Sequence, residues 1–574
     1  MATNIYHRLS ITTVVLLIPF LVYSQDLIQN AQVHGNFQSD GQYYLNDSKL
    51  GISNESLNGK RFASNSFLNV NYTNDKFSAG MRYEAFLGPM VGFTPDYEGN
   101  GVPYWYLNYS LDKLDITAGH YYEQFGSGMI LRTYEEWALG YDNSLNGIRL
   151  KYNPFKGVYL KALVGYQRDR WVSYDGENRG LVRGTDAEIM LNDLLDFESS
   201  TVISFGGSFV SKYEKMEPKI LIRPIDDQGS FEKYEYQLPE NVAAWAGRFN
   251  ITRSGWNLMS EYAYKLNNPS ALNNYIYKNG QGLYSVLSYS QKGFGAQISA
   301  KRIDNMGFKS RNSEKENVLD INFLPPLTLQ HHYSFATMYP YATQPNGEMA
   351  LQGQIEYTMA RNTTLGGAYG TTLGISYSRV NSIKKENIAP GIPIDSTGTL
   401  GYSSPFFSFG DDLYYEDLNI QINKKISSKL KTIFAYYYQV YNKDVVQGYV
   451  NQYGLVYSHI AVADMTYKLS KTDAIRLEMQ LLFTEQDKGN WAGITAEYSI
   501  APSWFFSISD EYNYGNKLDD HKLHYYNAAV GYTQGTTRIA LSAGRQREGL
   551  LCVGGVCRFV PASNGITLTV TSSF

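Results

Sequence analysis

Apolar and polar residues alternate one by one in segment after segment of this chain. In residues 475–483 every second position is Ile, Leu, Met, Leu or Phe, and Leu482 is the only apolar residue between them. Residues 77–85, 158–166 and 538–543 follow the same pattern. Because successive strand residues point to opposite faces, each segment predicts a β-strand with one apolar face and one polar face.

The number of such segments predicts where the apolar faces point. They recur through most of the 574 residues, and no separate segment looks able to form a soluble core. A mean hydropathy of −0.34 is too polar for a bundle of membrane helices, and the 50 Tyr residues suit strands at a membrane interface. The sequence therefore predicts an all-β fold, a transmembrane antiparallel up-and-down β-barrel with lipid outside and a polar lumen inside.

The links between segments predict the topology. Short links recur, for example at Asn74–Lys76, Lys292–Gly293 and Leu324–Pro326, and longer polar links lie between them, such as 213–240 and 381–411. Short periplasmic turns that alternate with long external loops are typical of bacterial outer-membrane barrels. Strands assigned on this rule number about 26, within a range of 22–26, and an even number leaves both termini on the periplasmic side.

The first 24 residues are interpreted as a signal peptide. His7 and Arg8 precede an apolar run over residues 11–23, and Ser24 stands before the expected cut. An uncleaved anchor is the alternative, although the run is shorter than the roughly 20 residues that a spanning helix needs. Residues 25–574 are then one outer-membrane barrel with long extracellular loops.

The final residues are interpreted as the closing strand. Residues 565–574 alternate and end on an aromatic residue, Phe574. We expect this strand to pair with residues 31–44 and Phe574 to act as the signal for barrel insertion.

Two stretches of the chain carry a family resemblance. The sequence HYYEQFGSGMILRTYEE begins at His120, and GYDNSLNGIRLKY begins at Gly140. Together they resemble an uncharacterised family of Bacteroidota outer-membrane β-barrels, and the resemblance covers the mature chain. It implies the fold and an outer-membrane location in a Gram-negative bacterium, and it implies no activity.

Charged residues at polar strand positions are the candidates for the lumen wall. Two interpretations stay open: these charges select polar or charged solutes by their local field, or they pair across strands in a filled interior. The candidates are Arg82, Glu84, Lys161, Glu261, Lys301, Arg476, Glu478, Glu497 and Arg538.

The link over residues 125–145 is a candidate constriction loop. Its charged candidates are Arg132, Glu135, Glu136 and Asp142, and we expect Arg132 to pair with an acidic residue. A loop on the outer surface is the alternative.

The remaining chemistry-bearing residues give few candidates. Cys552 and Cys557 predict a disulfide in the loop before the last strand, with two free thiols as the alternative. Ser458 and His459 are adjacent, so in a strand they point to opposite faces and form no nucleophile–base pair. We predict no enzyme activity, no cofactor and no metal site. The formal net charge of −4 gives no reason to expect nucleic-acid binding.

Two functional classes fit these predictions. The first is a loop-plugged pore or transporter-like channel for polar solutes or export substrates. The alternative is a structural barrel that docks partner proteins in an envelope complex. The expected partners are outer-membrane lipid, the barrel-insertion machinery during assembly and, for the alternative, an envelope protein.

Overall fold

Twenty-four antiparallel strands form one continuous sheet that closes into a barrel. The computed structural model describes residues 31–574 apart from 58, 94–96, 170–179, 217, 225–230, 316–317 and 554–555, so the predicted signal peptide lies outside the described residues. The strands are β1 Gln32–Tyr44, β2 Phe62–Asn74, β3 Phe77–Leu87, β4 Gly99–Ser110, β5 Leu114–Tyr121, β6 Leu145–Tyr152, β7 Val158–Gln167, β8 Leu181–Met190, β9 Thr201–Tyr213, β10 Asn241–Arg253, β11 Trp256–Lys265, β12 Gly280–Gln291, β13 Phe294–Asp304, β14 Glu348–Met359, β15 Thr371–Ile383, β16 Phe409–Lys425, β17 Leu430–Asn442, β18 Leu455–Lys468, β19 Asp473–Phe483, β20 Trp491–Ile500, β21 Trp504–Tyr512, β22 His524–Gln534, β23 Thr537–Gln546 and β24 Ser563–Ser573.

The first and last strands close the barrel. β24 pairs with β23 on one side and with β1 on the other, in a register that runs from Asn36 opposite Ser573 to Tyr44 opposite Gly565. Gly35 and Phe574 exchange backbone hydrogen bonds of 2.9 and 3.0 Å at the end of this seam. A Cβ on Gly35 would lie 2.7 Å from the Phe574 ring, so glycine leaves room for the ring. The predicted pairing of the two terminal strands is confirmed.

The links differ in length at the two ends of the barrel. At the short-turn end, several links are only two or three residues long, such as 75–76, 292–293 and 501–503, and the start of β1 and Phe574 lie at the same end. The long-loop end carries the longer links, and the described ranges contain small elements within the links at both ends. These are the paired strands Glu135–Glu136 with Tyr141–Asp142, Lys219–Pro224 with Phe231–Tyr236 and Gly549–Val553 with Val556–Val560, the α-helices Leu191–Leu194 and Lys443–Gln447, and the 3-10 helices Ser48–Leu50, Trp137–Leu139, Ala271–Asn273 and Asp519–His521.

The barrel has two strands fewer than the expected 26, which is within the predicted range. The expected turn at 324–326 is wrong, because residues 305–347 form one long link between β13 and β14. Within its described residues this link has a single isolated β-bridge, between Lys309 and Asp320. Its prolines and polar residues break the alternation that a wall strand requires.

The outer face of the barrel is apolar and aromatic. Ile298, Leu351 and Ile508 are 63%, 49% and 65% exposed, and each points away from the lumen. Next to the short turns, Trp256 packs on Tyr289 and Trp504 on Tyr532, with both ring pairs 4.7 Å apart. An apolar band edged by aromatic side chains is the exterior of a transmembrane barrel. Among the described residues, no helix is both long enough and apolar enough to cross a membrane.

We expect neighbouring residues of β23 to respond oppositely to arginine. Leu541 is 45% exposed on the outer face, and Ser542 points into the lumen. Leu541→Arg places a charge in lipid and should cost about 2–4 kcal/mol near the middle of the bilayer. Ser542→Arg is the matched control and should fold normally. Heat-modifiability on gels and urea unfolding measure both variants, and equal damage would show that the facing assignment is wrong.

The cysteine pair lies in the hairpin before β24. Cys552 stands opposite Cys557 in this hairpin, with their Cα atoms 4.1 Å apart and their sulfur atoms joined as a disulfide. We predict that non-reducing mass spectrometry of the purified protein finds this bridge. Two freely alkylated thiols would contradict it. The double variant Cys552→Ser/Cys557→Ser should still assemble, because the closed loop is short.

Candidate functional site

Two long-loop links turn into the barrel and fill much of its lumen. Inner loop 1 is residues 122–144, between β5 and β6, and inner loop 2 is residues 305–347, between β13 and β14. Phe125 and Ile130 of inner loop 1 are fully buried, in one cluster with Ile321 of inner loop 2 and inward-facing side chains of the wall. Inner loop 1 contains most of the predicted constriction loop, and the alternative of a loop on the outer surface is wrong.

Inner loop 2 forms a second apolar cluster against the opposite part of the wall. Phe335 is fully buried with its ring 6.1 Å from Trp491, and Tyr341 stacks on Tyr415 at 5.2 Å. Leu482, the one apolar residue on the polar face of β19, is fully buried in this cluster. Leu482 therefore interrupts the polar face of β19 at a position where it is buried with apolar residues of inner loop 2.

Five charged residues join inner loop 1 to the wall. Arg82 of β3 contacts Glu84, Glu135 and Asp142, and Arg168 contacts Glu84 at 2.7 Å and Asp142 at 2.5 Å. We call these residues the arginine–carboxylate cluster. Arg82 and Glu84 are only 3% and 2% exposed, so each charge needs partners at this depth. The candidates Arg82, Glu84, Glu135 and Asp142 therefore form one unit, and Arg168 is the member that the sequence did not reveal.

The cluster has one carboxylate more than its two guanidinium groups can neutralise. Burial raises the pKa of Glu135 to about 7, against the lowering effect of Arg82, and the Asp142 carboxylate adds to the rise. Asp142 is lowered to a pKa of about 2, because Arg168, Arg82 and Ser144 together outweigh its burial. Glu135 is therefore the cluster member that takes up a proton near neutral pH.

Glu261 of β11 holds the tip of inner loop 1. The Ser127 amide donates to its Oε2 at 2.7 Å. Gly126, at a φ of 53°, lies so close that a Cβ would stand 2.3 Å from the same oxygen. Glycine at this position lets the backbone approach the carboxylate. Glu261 thus anchors a loop and does not line an open channel.

Lys301 of β13 holds the far end of inner loop 2. Its Nζ lies 2.6 Å from Glu348 Oε1, and it donates to the Pro325 carbonyl at 2.6 Å and to Thr343 at 2.8 Å. Both charged side chains of the pair are fully buried. Glu348 also accepts from the Tyr341 hydroxyl, so one ion pair binds three residues of the loop to the wall.

The tip of inner loop 2 meets a polar network on β18, β19 and β20. Arg476 pairs with Glu478, with Glu497 at 3.2 Å and with Asp464 at 3.0 Å. Tyr333 donates to Asp464 at 3.3 Å, and the Phe335 amide donates to Gln480 at 3.1 Å. The three predicted residues of this group pair with one another and with Asp464.

A group rich in positive charge lies where inner loop 1 leaves β5. Glu123 of the loop is 6% exposed and lies within 3.5 Å of Arg149, Lys151 and Lys161. Of these residues only Lys161 was predicted. The carboxylate belongs to a loop, so strand alternation gave no signal that three wall cations would converge on it.

Three predicted residues have other roles. The Arg132 guanidinium lies 4.0 Å from the centre of the Phe323 ring. Arg132 forms no ion pair with any described residue, so the expectation of an acidic partner is wrong for this part of the chain. Glu136 accepts from the Ala138 amide and caps a short helix. Arg538 lies exposed at a lumen-facing position next to the turn at 535–536.

The adjacent residues Ser458 and His459 lie on opposite faces of β18. Ser458 is buried on the inner face, and His459 points outward to the Tyr436 hydroxyl at 2.7 Å, as the alternation predicts. His331 of inner loop 2 lies 3.1 Å from buried Asp417. Across the described residues no group of three potential ligands is close enough for a metal ion.

Two cavities remain beside inner loop 2. The upper cavity, about 710 Å³, lies between the loop and β21–β23 and is bordered by the hairpin with the cysteines. The lower cavity, about 650 Å³, lies against β12–β16 toward the short-turn end. Leu329 of inner loop 2 borders both cavities. Inner loop 2 therefore lies between two cavities of the same lumen.

These features define a transmembrane β-barrel whose lumen is plugged by its own loops. The chain belongs to a family of unknown function, DUF6029, whose model matches residues 6–574. No curated protein sequence matches it.

Solved structures show only distant similarity to the chain. A double mutant of the ferric enterobactin receptor from Pseudomonas aeruginosa is 11% identical, with a TM-score of 0.43, over 95% of this chain and 81% of that one. The P pilus usher translocation pore is 8% identical, with a TM-score of 0.39, over 94% and 99%. A mutant porin of Rh. blastica is 9% identical, with a TM-score of 0.26, over 95% and 100%. Likeness at these TM-scores implies nothing about function.

We predict that Lys301→Met loosens inner loop 2. The change leaves Glu348 buried without its cation, and breaking a buried pair in this way costs about 3–5 kcal/mol. Hydrogen exchange over residues 326–347 should rise strongly, while exchange in the wall strands changes little. Lys488→Met is the control, because its partner Glu548 is 47% exposed and such pairs contribute about 0–1 kcal/mol. Unchanged exchange in Lys301→Met would show that the pair does not hold the loop.

We also predict a pH dependence of inner loop 1. The pKa of Glu135 is raised in the folded protein, so its stabilising contribution is complete below its ordinary value of 4.5 and is lost as the pH rises through about 7. The protection factors of the amides in residues 122–144, which are exchange rates corrected for the intrinsic effect of pH, should therefore fall as the pH rises from 5 to 8. Glu135→Gln stays neutral and should flatten this dependence. If Glu135→Gln shows the same pH dependence of hydrogen exchange as the unchanged protein, another group causes that dependence.

Proposed function

We propose that the protein is a loop-plugged outer-membrane channel, transporter-like and without enzyme activity, that passes polar solutes or export substrates. The observation that carries the proposal is the position of inner loop 2 between the upper and lower cavities, held by Lys301, Asp464, Gln480 and Glu511. A loop held by side-chain packing and a few polar contacts can leave its place at lower cost than a wall strand, whose backbone groups must stay paired in lipid.

The proposed location follows from the asymmetry of the barrel. Short turns face the periplasm in bacterial outer-membrane barrels, and here the turns share one end with the start of β1 and the end of β24. The proposal includes a cleaved signal peptide over residues 1–24, contact with outer-membrane lipid and assembly by the barrel-insertion machinery. The Tyr-rich strands and Gln25 at the expected mature start support an origin in Bacteroidota.

A reversible tether tests the channel. Ser334 Oγ of inner loop 2 lies 2.6 Å from Glu511 Oε1 of β21, so cysteines at these two positions can be bridged by a short bis-methanethiosulfonate, which forms a disulfide with each thiol. In a background of Cys552→Ser and Cys557→Ser, we expect current in planar bilayers before bridging, loss of current after it and recovery with reductant.

The control tether joins two wall residues. Asn36 and Asn69 of neighbouring strands lie 2.7 Å apart, and a bridge between cysteines there restrains no loop, so current should persist. Equal current with and without the Ser334–Glu511 bridge would contradict a moving plug. If the unbridged protein and Lys301→Met both pass nothing, the channel itself is contradicted.

The second candidate is a scaffold barrel that docks an envelope protein. It is favoured by apolar side chains exposed in the long-loop links, where Phe407 is 80%, Val450 79% and Leu400 62% exposed. Exposed apolar residues that lie beyond the lipid band suit a protein partner. A stoichiometric partner in pull-downs from gently solubilised membrane, lost in Phe407→Ser/Val450→Ser, supports the scaffold. A partner that co-purifies equally with Phe407→Ser/Val450→Ser would contradict docking on these residues.

We expect the closing strand to control assembly. Removing residues 565–574 leaves the backbone groups of β1 and β23 without partners in lipid, which should abolish accumulation in the outer membrane. Deleting only Phe574, the proposed insertion signal, should lower accumulation. Fractionation and immunoblotting measure both effects. A truncated protein that stays abundant and heat-modifiable would contradict the closed barrel.

A further inference from the structure

The lower cavity has a wall of uncharged hydrogen-bonding side chains. Gln297, Gln354, Ser376, Asn419 and Gln421 line it from four neighbouring strands. They point inward, because the residues beside them in sequence, such as Ile298 and Ile355, are 63% and 50% exposed on the outer face. Among the described lining residues the only carboxylate is Glu356, and there is no Lys, Arg or His.

This wall differs from the rest of the lumen. Elsewhere the inner face carries ion pairs, such as Arg82 with Glu84 and Arg476 with Asp464. Amide and hydroxyl groups are uncharged, and each offers both hydrogen-bond donors and acceptors. A site built from them distinguishes ligands by hydrogen bonding, and it gives an ion no compensation for its lost hydration.

One buried hydroxyl of the lower cavity lacks a partner. Ser376 is 5% exposed, and its Oγ has no hydrogen bond within the described part of the chain. Leaving such a group unpaired costs about 1–3 kcal/mol, whereas its neighbour Ser378 already accepts from Gln352 at 3.1 Å. Ser376 therefore keeps an unused hydrogen-bonding group at the cavity wall.

In the upper cavity, on the other side of Leu329, the two lining arginines are both paired. Its Arg547 pairs with Glu511 at 3.1 Å, and its Arg545 pairs with Asp47 at 2.6 Å. Tyr341 and Tyr525 add aromatic surface to its lining. Aromatic rings with a few fixed polar groups suit a ligand that has both C–H surface and hydroxyl groups.

We propose that the lower cavity binds an uncharged, polyhydroxylated solute of the saccharide class. The inference deepens the proposed channel, whose cargo it names, and rests on it for the route past inner loop 2. A saccharide hydroxyl both donates and accepts, so it satisfies amide pairs such as Gln421 and Asn423, which otherwise bond each other at 3.2 Å. The cavity volume of about 650 Å³ is in the range that holds a ligand of a few sugar rings.

Binding is tested without any need for transport. The full-length barrel in lipid nanodiscs is examined by saturation-transfer NMR with raffinose, a neutral trisaccharide, as the probe. We expect transfer to raffinose that excess gluconate or glucosamine does not displace. The double variant Asn419→Leu/Gln421→Leu should weaken binding about tenfold, as the loss of two hydrogen bonds predicts.

The matched control makes the same chemical change on another part of the wall. Asn36→Leu/Asn69→Leu removes two amides that bond each other on β1 and β2, outside the lower cavity, and should leave raffinose binding unchanged. No transfer to raffinose, equal loss in both double variants, or displacement by the charged analogues would overturn the inference.

The two proposals fail in different ways. If the tether experiment shows a channel and raffinose does not bind, the saccharide inference is wrong and the channel stands. If raffinose binds as expected and no current or solute passes, the lower cavity is a binding site and the channel is wrong.

Discussion

Closure of the sheet between β1 and β24 is the constraint on which the other features depend. In lipid every backbone donor and acceptor needs a partner within the protein, so a sheet of this kind has no free edge. Twenty-four strands satisfy that condition only around a wide lumen. The closed wall therefore fixes the outer face as apolar and leaves an interior that the same chain must partly fill.

Inner loops 1 and 2 fill much of this interior. Because both loops are buried, apolar packing and paired charges hold them in place. Apolar side chains such as Phe125 and Phe335 pack against the few apolar residues on the inner face. Charged contacts then fix position, because Glu261, Lys301 and Arg82 each meet a loop group at depths where an unpaired charge is costly. Wall charges that look like a selectivity lining thus serve mainly to anchor loops.

The sequence predicted the wall well and the filling poorly. Period-two alternation placed Leu477 and Leu541 outside and Arg476 and Glu478 inside, because strand geometry is local. It also predicted the pairing of residues 565–574 with β1. The expected turn at 324–326 lies instead within inner loop 2, because a loop buried in a lumen contains apolar residues as a strand does. Arg168 and Glu123 meet their partners only through the tertiary fold, so no spacing in the sequence revealed them.

The two sides of the lumen also differ in how firmly they are tied. Inner loop 1 is bound by the arginine–carboxylate cluster and by Glu123, which together hold it at both ends. Inner loop 2 is bound in its first part through Asn312 and Asn322, at Pro325 by Lys301 and at its tip around Ser334. Between Pro325 and the tip, residues 326–331 border the upper cavity, and Leu329 also borders the lower one. A segment with solvent-sized space beside it loses few contacts when it shifts. Any passage through this barrel is therefore easiest beside Leu329, where the wall offers hydroxyl and amide groups in place of ion pairs.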